Sequence, residues 1–185
     1  MHPRTIKMLR IRKAGKNDAA LIARLSRQTF YDAFHKENLE EDMAMYLDKN
    51  FNDIAITLEI VDPENILLII EEDEVSVGYA KLSVKNKQYN QPGFKCLEIS
   101  RIYCMQQFIG KGIGKTLMQE CIEIAQSLEM DCIWLGVREN NLRAIEFYKR
   151  VGFTKFDEHV FILGNDHQND WLMKKNLVNQ YENAN

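Results

Sequence analysis

The chain has 185 residues and a formal net charge of -3, from 24 basic and 27 acidic side chains. A nucleic-acid binder that works by bulk phosphate attraction carries an excess of positive charge, so this balance argues against that class. No apolar run approaches membrane-spanning length, the first residues lack the apolar stretch of a signal peptide, and no linker divides the chain. We therefore expect a cytoplasmic protein without a nucleic-acid or membrane partner, with one domain over residues 1–178 and a frayed tail over 179–185.

Alternating strand and helix patterns predict an α/β chain. Runs with every second or nearly every position apolar predict strands, and apolar residues at helical spacing predict helices. The predicted elements are a strand at Met8–Lys13, helices after Asn17-Asp18, at Leu39–Leu47 and at Ile54–Ile60, a hairpin of Ile66–Ile70 and Val75–Val84 around an acidic turn, a central strand at Asp131–Val137 and a last hairpin at Phe161–Met173 around Gly164-Asn165-Asp166.

The strand predicted at Cys96–Met105 changes its apolar alternation near the middle. Leu97 and Ile99 share one parity, whereas Ile102 and Cys104 have the opposite one. A one-residue bulge between these pairs would keep all four side chains on the core face and would bend the strand. The alternative is a regular strand with one partly polar face.

The four cysteines show neither a CxxC nor a His-paired metal spacing, and most have apolar neighbours. They are Cys96, Cys104, Cys121 and Cys132. We expect reduced core thiols and no metal. Cys104 precedes a glycine-rich loop and is therefore the one candidate for a catalytic thiol, but no adjacent His would lower its pKa.

A glycine-rich loop at Gln107–Gly114 follows that strand and leads into an amphipathic helix. Its glycines are Gly110, Gly112 and Gly114. Glycine allows a sharp turn and close backbone approach, so N–H groups can converge at the positive end of the helix, where Lys111 and Lys115 add charge. This arrangement predicts a pyrophosphate site. The alternative is a turn that only begins a helix.

Two better-known nucleotide motifs do not fit this loop. A P-loop has four residues between its first glycine and Gly-Lys-Thr, whereas three separate Gly110 from Gly114-Lys115-Thr116. The dinucleotide fingerprint has its third glycine one position later and opens its domain, whereas this loop lies past the middle of the chain.

The loop and a second segment together resemble the GCN5-related N-acetyltransferases (GNAT superfamily). The loop matches Gln/Arg-x-x-Gly-x-Gly/Ala at Gln107, Gly110 and Gly112. The second segment matches Asn-x-x-Ala-x-x-Phe-Tyr and Gly-Phe at Asn141, Ala144, Phe147, Tyr148, Gly152 and Phe153. The resemblance runs from about Leu9 to Leu177.

This resemblance implies the GNAT fold, a mixed and mostly antiparallel sheet of about seven strands, with flanking helices and a splayed parallel strand pair. It also implies acetyl-CoA as cosubstrate, transfer to a primary amine in a ternary complex, and a possible homodimer. The cofactor-binding residues that it implies are Ile102, Tyr103, Cys104, Gln107, Ile109, Gly110, Lys111, Gly112, Ile113, Gly114, Lys115, Asn141 and Tyr148.

Acetyl transfer to an amine requires three groups. A base must deprotonate the ammonium, whose pKa is near that of lysine, and we assign Glu98 to this role. Strand N–H groups around Ile102 and Cys104 could polarise the carbonyl. Tyr148 resembles the family's acid for the departing thiolate. Three other interpretations stay open: Glu98 paired with Arg101 or solvent, Tyr148 as an amphipathic tyrosine at the edge of the core, and Asn141 as a helix cap.

Two parts of the chain carry a closer resemblance: Leu25–Phe34 with the acidic Glu40-Glu41-Asp42 before Tyr46-Leu47, and Phe161–Gly164 with Asp170 and Met173-Lys174-Lys175. They resemble the PaiA-type spermidine/spermine acetyltransferases, which makes a polyamine the leading acceptor. Aromatic rings beside carboxylates can receive a flexible polycation. The candidate substrate-binding residues are Phe30, Tyr31, Asp32, Phe34 and Glu37. The alternatives are a helix with one packed and one solvated acidic face, a protein N-terminal or lysine acetyltransferase, and a non-catalytic acyl-CoA sensor.

Overall fold

A computed structural model describes residues 8–36, 38–85, 89, 92–163 and 166–177. Three sequence predictions therefore lie outside the described residues: the frayed tail at 179–185, the turn residues Gly164 and Asn165, and Glu37 as a substrate-binding residue.

The described residues form a seven-stranded mixed sheet with the order β1-β2-β3-β4-β5-β7-β6. Only β4 and β5 are parallel neighbours, and every other pair is antiparallel. This architecture confirms the fold predicted from the sequence. The strands are β1 (Leu9–Lys13), β2 (Asn65–Glu72), β3 (Val75–Ser83), β4 (Cys96–Cys104), β5 (Cys132–Arg138), β6 (Thr154–Leu163) and β7 (Asp166–Asn176).

Helices on the two faces of the sheet enclose two large apolar cores. One core packs three N-terminal helices against β2 and β3, and the other packs two later helices against the central strands. No helix within the described ranges is long and apolar enough to cross a membrane. The helices are α1 (Ala19–Phe34), α2 (Glu40–Asn50) and α3 (Asp53–Val61) on the first face, and α4 (Ile113–Ser127) and α5 (Leu142–Val151) on the second.

The predicted bulge in β4 is confirmed and lies at Ser100. Ile99 pairs with Leu82 and Arg101 pairs with Lys81, so Ser100 is the extra residue of β4. The bulge keeps the apolar side chains before and after it in the same core, as the change of parity predicted.

The parallel ladder between β4 and β5 is short. It holds Cys96–Ile99 against Cys132–Leu135, although both strands continue beyond it. Because no strand lies between them, the diverging ends leave a wedge-shaped opening in the middle of the sheet. The splayed strand pair is therefore present as expected.

Cys96 and Cys132 form a disulfide at the closed end of this wedge. The prediction that all four cysteines are reduced is therefore wrong for this pair. The two residues are 36 positions apart, and only the register of β4 and β5 brings their Cα atoms to 4.6 Å. Cys104 and Cys121 are free thiols, as expected.

Candidate active site

A cavity of about 500 Å³ lies where β4 and β5 separate. It joins the wedge between the two strands to a chamber beneath α1 and α2. The wedge side is lined by Ile102, Tyr103, Val137, Asn141, Ala144 and Tyr148. The chamber is lined mainly by Phe30, Phe34, Tyr46, Phe51, Tyr89, Glu98, Arg101, Trp134, Arg138, His159, Phe161, Gln168 and Asp170.

The glycine loop ends at the start of α4 without a side-chain cap. Gly112 is the N-cap residue with φ 90°, and Gly110 has φ 85°, a region that favours glycine. Among the described residues no side chain caps α4, so the N–H groups of its first turn are available to an outside acceptor. The loop therefore fits an anionic diphosphate.

Arg143 is a basic residue near this loop that the motif matches did not single out. Its Nη2 atom lies 4.0 Å from the position that a Cβ of Gly110 would take. Arg143 is the second residue of α5 and is exposed, so its guanidinium can approach a bound phosphate. Its proximity to the loop depends on how α5 packs beside α4, which spacing along the chain does not indicate.

The edge of β4 that faces β5 presents free backbone donors beyond the bulge. The N–H of Met105 donates to the carbonyl of Val77 in β3 at 2.9 Å. N–H groups alternate in direction along a strand, so those of Ile102 and Cys104 point toward β5, which no longer pairs with β4 there. These are the two donors that the sequence suggested for a carbonyl oxygen.

Tyr148 lies at the end of the second turn of α5 and reaches the cavity from the second face of the sheet. The side chain of Asn141 caps this helix by accepting a hydrogen bond from the N–H of Ala144 at 3.1 Å, so the capping interpretation is confirmed. Tyr148 is 8% exposed, and burial raises its pKa far above the ordinary value. Its hydroxyl is therefore protonated throughout the neutral pH range.

Cys104 is a poor candidate for a nucleophile. It is a free thiol, and burial raises its pKa although nearby Arg143 acts in the opposite direction. A raised pKa lowers the thiolate fraction at neutral pH, and the thiolate is the reactive form. The site thus offers no activated thiol at this position.

Glu98 lines the chamber from β4, directly beside Trp134 of β5 in the parallel ladder. Arg101, which the sequence offered as a partner for Glu98, instead forms an ion pair with Glu59 of α3 and lies over the ring of Phe51 at 5.2 Å. The ion pair of Arg101 is thus made with α3. Glu98 lies two residues before the bulge, next to the wedge.

The substrate-binding residues predicted on α1 divide between two faces of the helix. Phe30 and Phe34, four positions apart, line the chamber. Tyr31 is 41% exposed and stacks on His35, and the carboxylate of Asp32 accepts a hydrogen bond from Gln28 at 2.8 Å. Tyr31 and Asp32 lie outside the cavity lining.

Much of the chamber comes from residues that sequence reasoning did not select. Tyr46 stacks on Phe30 with ring centroids 4.6 Å apart, and Phe161 packs against the edge of Tyr46. The side chain of Gln168 donates to Asn38 at 2.6 Å and ties β7 to the segment between α1 and α2. The other chamber residues that were missed are Phe51, Tyr89, Trp134, Arg138, His159 and Asp170.

The sequence of this chain is similar to those of known N-acetyltransferases. The sequence profile of the Acetyltransferase (GNAT) family matches residues 22–153. An uncharacterized N-acetyltransferase from the pepI 3' region of Lactobacillus delbrueckii subsp. lactis is 38% identical over 170 residues, which cover 92% of this chain and 98% of the relative. The spermine/spermidine N(1)-acetyltransferase of Bacillus subtilis is 34% identical over 56 residues, 30% of this chain and 37% of that protein.

A solved structure shows the same fold with a coenzyme bound. The PaiA N-acetyltransferase from Thermoplasma acidophilum, in complex with coenzyme A, superposes with a TM-score of 0.76 at 21% identity. The superposition covers 91% of this chain and 99% of that protein.

Proposed function

This chain belongs to the GNAT family of acetyltransferases and uses acetyl-CoA as its cosubstrate, and we propose that it acetylates a primary amine of a small molecule by direct attack in a ternary complex. The observation that carries the proposal is the single cavity that joins the wedge between β4 and β5 to the chamber. A donor in the wedge and an amine in the chamber would meet beside Glu98 and Tyr148.

The coenzyme would be held chiefly by main-chain atoms. The first turn of α4 and the loop glycines offer N–H groups to its diphosphate, and Lys111 and Arg143 add positive charge. The bound acetyl-CoA supplies an acetyl group on a thioester, and the freed edge of β4 gives its pantetheine arm a strand to lie against.

The residues around the wedge carry the transfer. Glu98 accepts a proton from the substrate ammonium, and the amine nitrogen then attacks the thioester carbonyl carbon. The N–H groups of Ile102 and Cys104 hold the carbonyl oxygen as negative charge develops on it. As the carbon–sulfur bond breaks, Tyr148 donates its proton to the sulfur. The attacking nitrogen loses its second proton to solvent as the amide forms, and solvent in turn reprotonates Tyr148.

A polyamine is the acceptor that we favour. The chamber combines aromatic rings with the carboxylates of Glu98 and Asp170, and such surroundings suit an extended cation with an apolar chain. The similarity to the Bacillus subtilis spermine/spermidine enzyme supports the same choice over part of the chain.

Thiol release from acetyl-CoA with a panel of acceptors tests this proposal. The panel contains spermidine, spermine, simple monoamines, aminoglycosides, amino acids and peptides with free N-termini. Turnover of small amines with little on peptides is expected. Turnover of peptides alone would replace the proposal with a protein acetyltransferase, and tight acetyl-CoA binding without turnover on any acceptor would replace it with a sensor.

A cytoplasmic location is part of the proposal and makes the disulfide testable. Disulfides are rare in the cytosol, but Cys96 and Cys132 are 3% and 1% exposed, which shields them from dissolved thiols. Alkylation of cells lysed directly in denaturant, which exposes buried thiols, followed by mass spectrometry should find this pair unmodified. Full alkylation of both cysteines would show that the pair is reduced in the cell.

A further inference from the structure

Gly136 leaves a bare stretch of backbone in the wall of the cavity. It lies in the second half of β5 and is exposed, whereas Leu135 and Val137 on either side are 1% and 6% exposed. Glycine weakens the interior of a strand, so its presence there marks a bulge, a bend or a close approach. The register of β5 with β7 is regular through Gly136, and its φ is not positive, so the backbone conformation does not require glycine.

Gly78 of β3, the other described glycine within a strand, shows what a structural requirement looks like. A Cβ on Gly78 would lie 2.6 Å from the carbonyl oxygen of Tyr103, so the fold excludes a side chain there. A Cβ on Gly136 would meet no described atom closer than 3.7 Å, which is an ordinary van der Waals contact. The two atoms at that distance are Oδ2 of Asp170 and Cδ2 of Leu172, both on β7. The fold therefore has room for a methyl group at Gly136.

The space over Gly136 lies where the acetyl donor and the acceptor would meet. Leu135 is the last residue of β5 that pairs with β4, so Gly136 is the first residue at the opening between the two strands. Side chains alternate along a strand, so position 136 is on the same face as Trp134, whose partner across the ladder is Glu98. An amine that gives its proton to Glu98 and attacks an acetyl group in the wedge would have its carbon beside Gly136.

We propose that the space over Gly136 receives a substituent on the carbon that bears the reacting amine, so that the enzyme acetylates primary amines on branched carbons as well as on unbranched ones. This inference rests on the proposed function and widens its acceptor class. The space is about the size of one methyl group and lies on one side of the reacting carbon. The site therefore accepts one enantiomer of a branched amine better than the other.

The test uses 1,4-diaminopentane, which carries one amine on a branched carbon and the other on an unbranched carbon. Each enantiomer is incubated with acetyl-CoA and either the wild type or Gly136→Ala, and the two monoacetylated products are quantified by NMR. The wild type should form both products from one enantiomer and mainly the unbranched-end product from the other. Gly136→Ala should lower the share of the branched-end product by about tenfold or more, because its methyl group occupies the space.

Three controls separate this role from a structural one. Gly15→Ala adds the same methyl group outside the cavity lining, at an ordinary backbone conformation and 3.9 Å from the nearest described atom, and should leave the product ratio unchanged. Leu172→Val removes Cδ2, which borders the space, and should raise the share of the branched-end product. The Tm of Gly136→Ala should rise by about 1–4 °C, because alanine is favoured over glycine within a strand. Its KM for acetyl-CoA should stay within about twofold of the wild type.

The outcomes distinguish the inference from the function on which it rests. The role of Gly136 is overturned if the product ratio is the same in Gly136→Ala as in the wild type, or if the wild type acetylates the branched end of neither enantiomer. A lower Tm for Gly136→Ala would show that the strand itself requires glycine, and it would also overturn the inference. The proposed function stands in each of these cases if spermidine or another small amine is acetylated. If the wild type releases no thiol with any amine of the acceptor panel, the proposed function fails and this inference fails with it.

Discussion

The two ends of the proposed active site would recognise their ligands with different parts of the polypeptide. The diphosphate at the coenzyme end would meet mainly one continuous segment, Gln107–Lys115, which presents N–H groups of a loop and a helix start, with Arg143 beside it. The acceptor end combines side chains from α1, α2 and four strands. Main-chain donors suit the diphosphate, because that group is the same in every enzyme that binds acetyl-CoA. Side chains from separate elements can be substituted one at a time, so they suit an amine that differs from one enzyme to another. The coenzyme end is therefore generic and the acceptor end specific.

The largest expected effect is a loss of kcat at Tyr148, which lies where the coenzyme end and the acceptor end meet. Tyr148→Phe removes the proton for the departing sulfur and should lower kcat by about 10²- to 10⁴-fold, the range typical of general acid catalysis. Acetyl-CoA affinity, measured by calorimetry, should not change. An acetyl thioester with a more acidic thiol should recover much of the lost rate because its thiolate leaves without a proton. Full activity of the variant with acetyl-CoA would remove Tyr148 from the mechanism.

Glu98→Gln tests the proposed base, which lines the chamber at the acceptor end. We expect kcat to fall by about 10²-fold. Without the carboxylate the reaction depends on amine that has already lost its proton, and a primary amine has a pKa near 10.4. The rate of the variant should therefore keep rising with pH toward that value, whereas the wild-type rate should level off at lower pH. Identical pH profiles for both proteins would contradict the assignment.

Substitution in the glycine loop tests whether the coenzyme end acts independently. Gly112→Ala places a side chain at φ 90° and costs about 1–3 kcal/mol of backbone strain, so KM for acetyl-CoA should rise about tenfold. Gly114 has no positive φ and open space around it, so Gly114→Ala is the matched control and should have a much smaller effect. KM for the amine should change little in either variant. An equal rise in both KM values would show that the two ends are coupled.

Arg143→Gln should produce the smallest effect. The guanidinium is exposed, and exposed ion pairs contribute at most about 1 kcal/mol, so KM for acetyl-CoA should rise no more than about fivefold. Because salt screens exposed charges, the difference from the wild type should shrink as ionic strength increases. A difference that is independent of salt would mean that Arg143 acts through packing and not through charge.

The same contrast explains which residues could be predicted from the sequence. The loop glycines and Asn141 act through local backbone geometry, which neighbouring residues determine. Ile102 and Cys104 predicted the bulge, because a change in the alternation of apolar residues can be recognised within one short strand. Much of the chamber gave no such signal: Trp134 and Gln168 have the pattern of ordinary strand residues, and only the order of β4, β5 and β7 places them around one cavity.

The sequence by itself determined the family, most strands and helices, the bulge in β4 and the glycine loop, because motifs and apolar periodicity are patterns among residues close along the chain. The tertiary structure alone decided the Cys96–Cys132 disulfide, the pairing of Arg101 with Glu59, and the charges that line the chamber. These features depend on strand register and helix packing between distant segments. Such contacts form only when the sheet assembles, so no pattern in a short stretch of sequence predicts them.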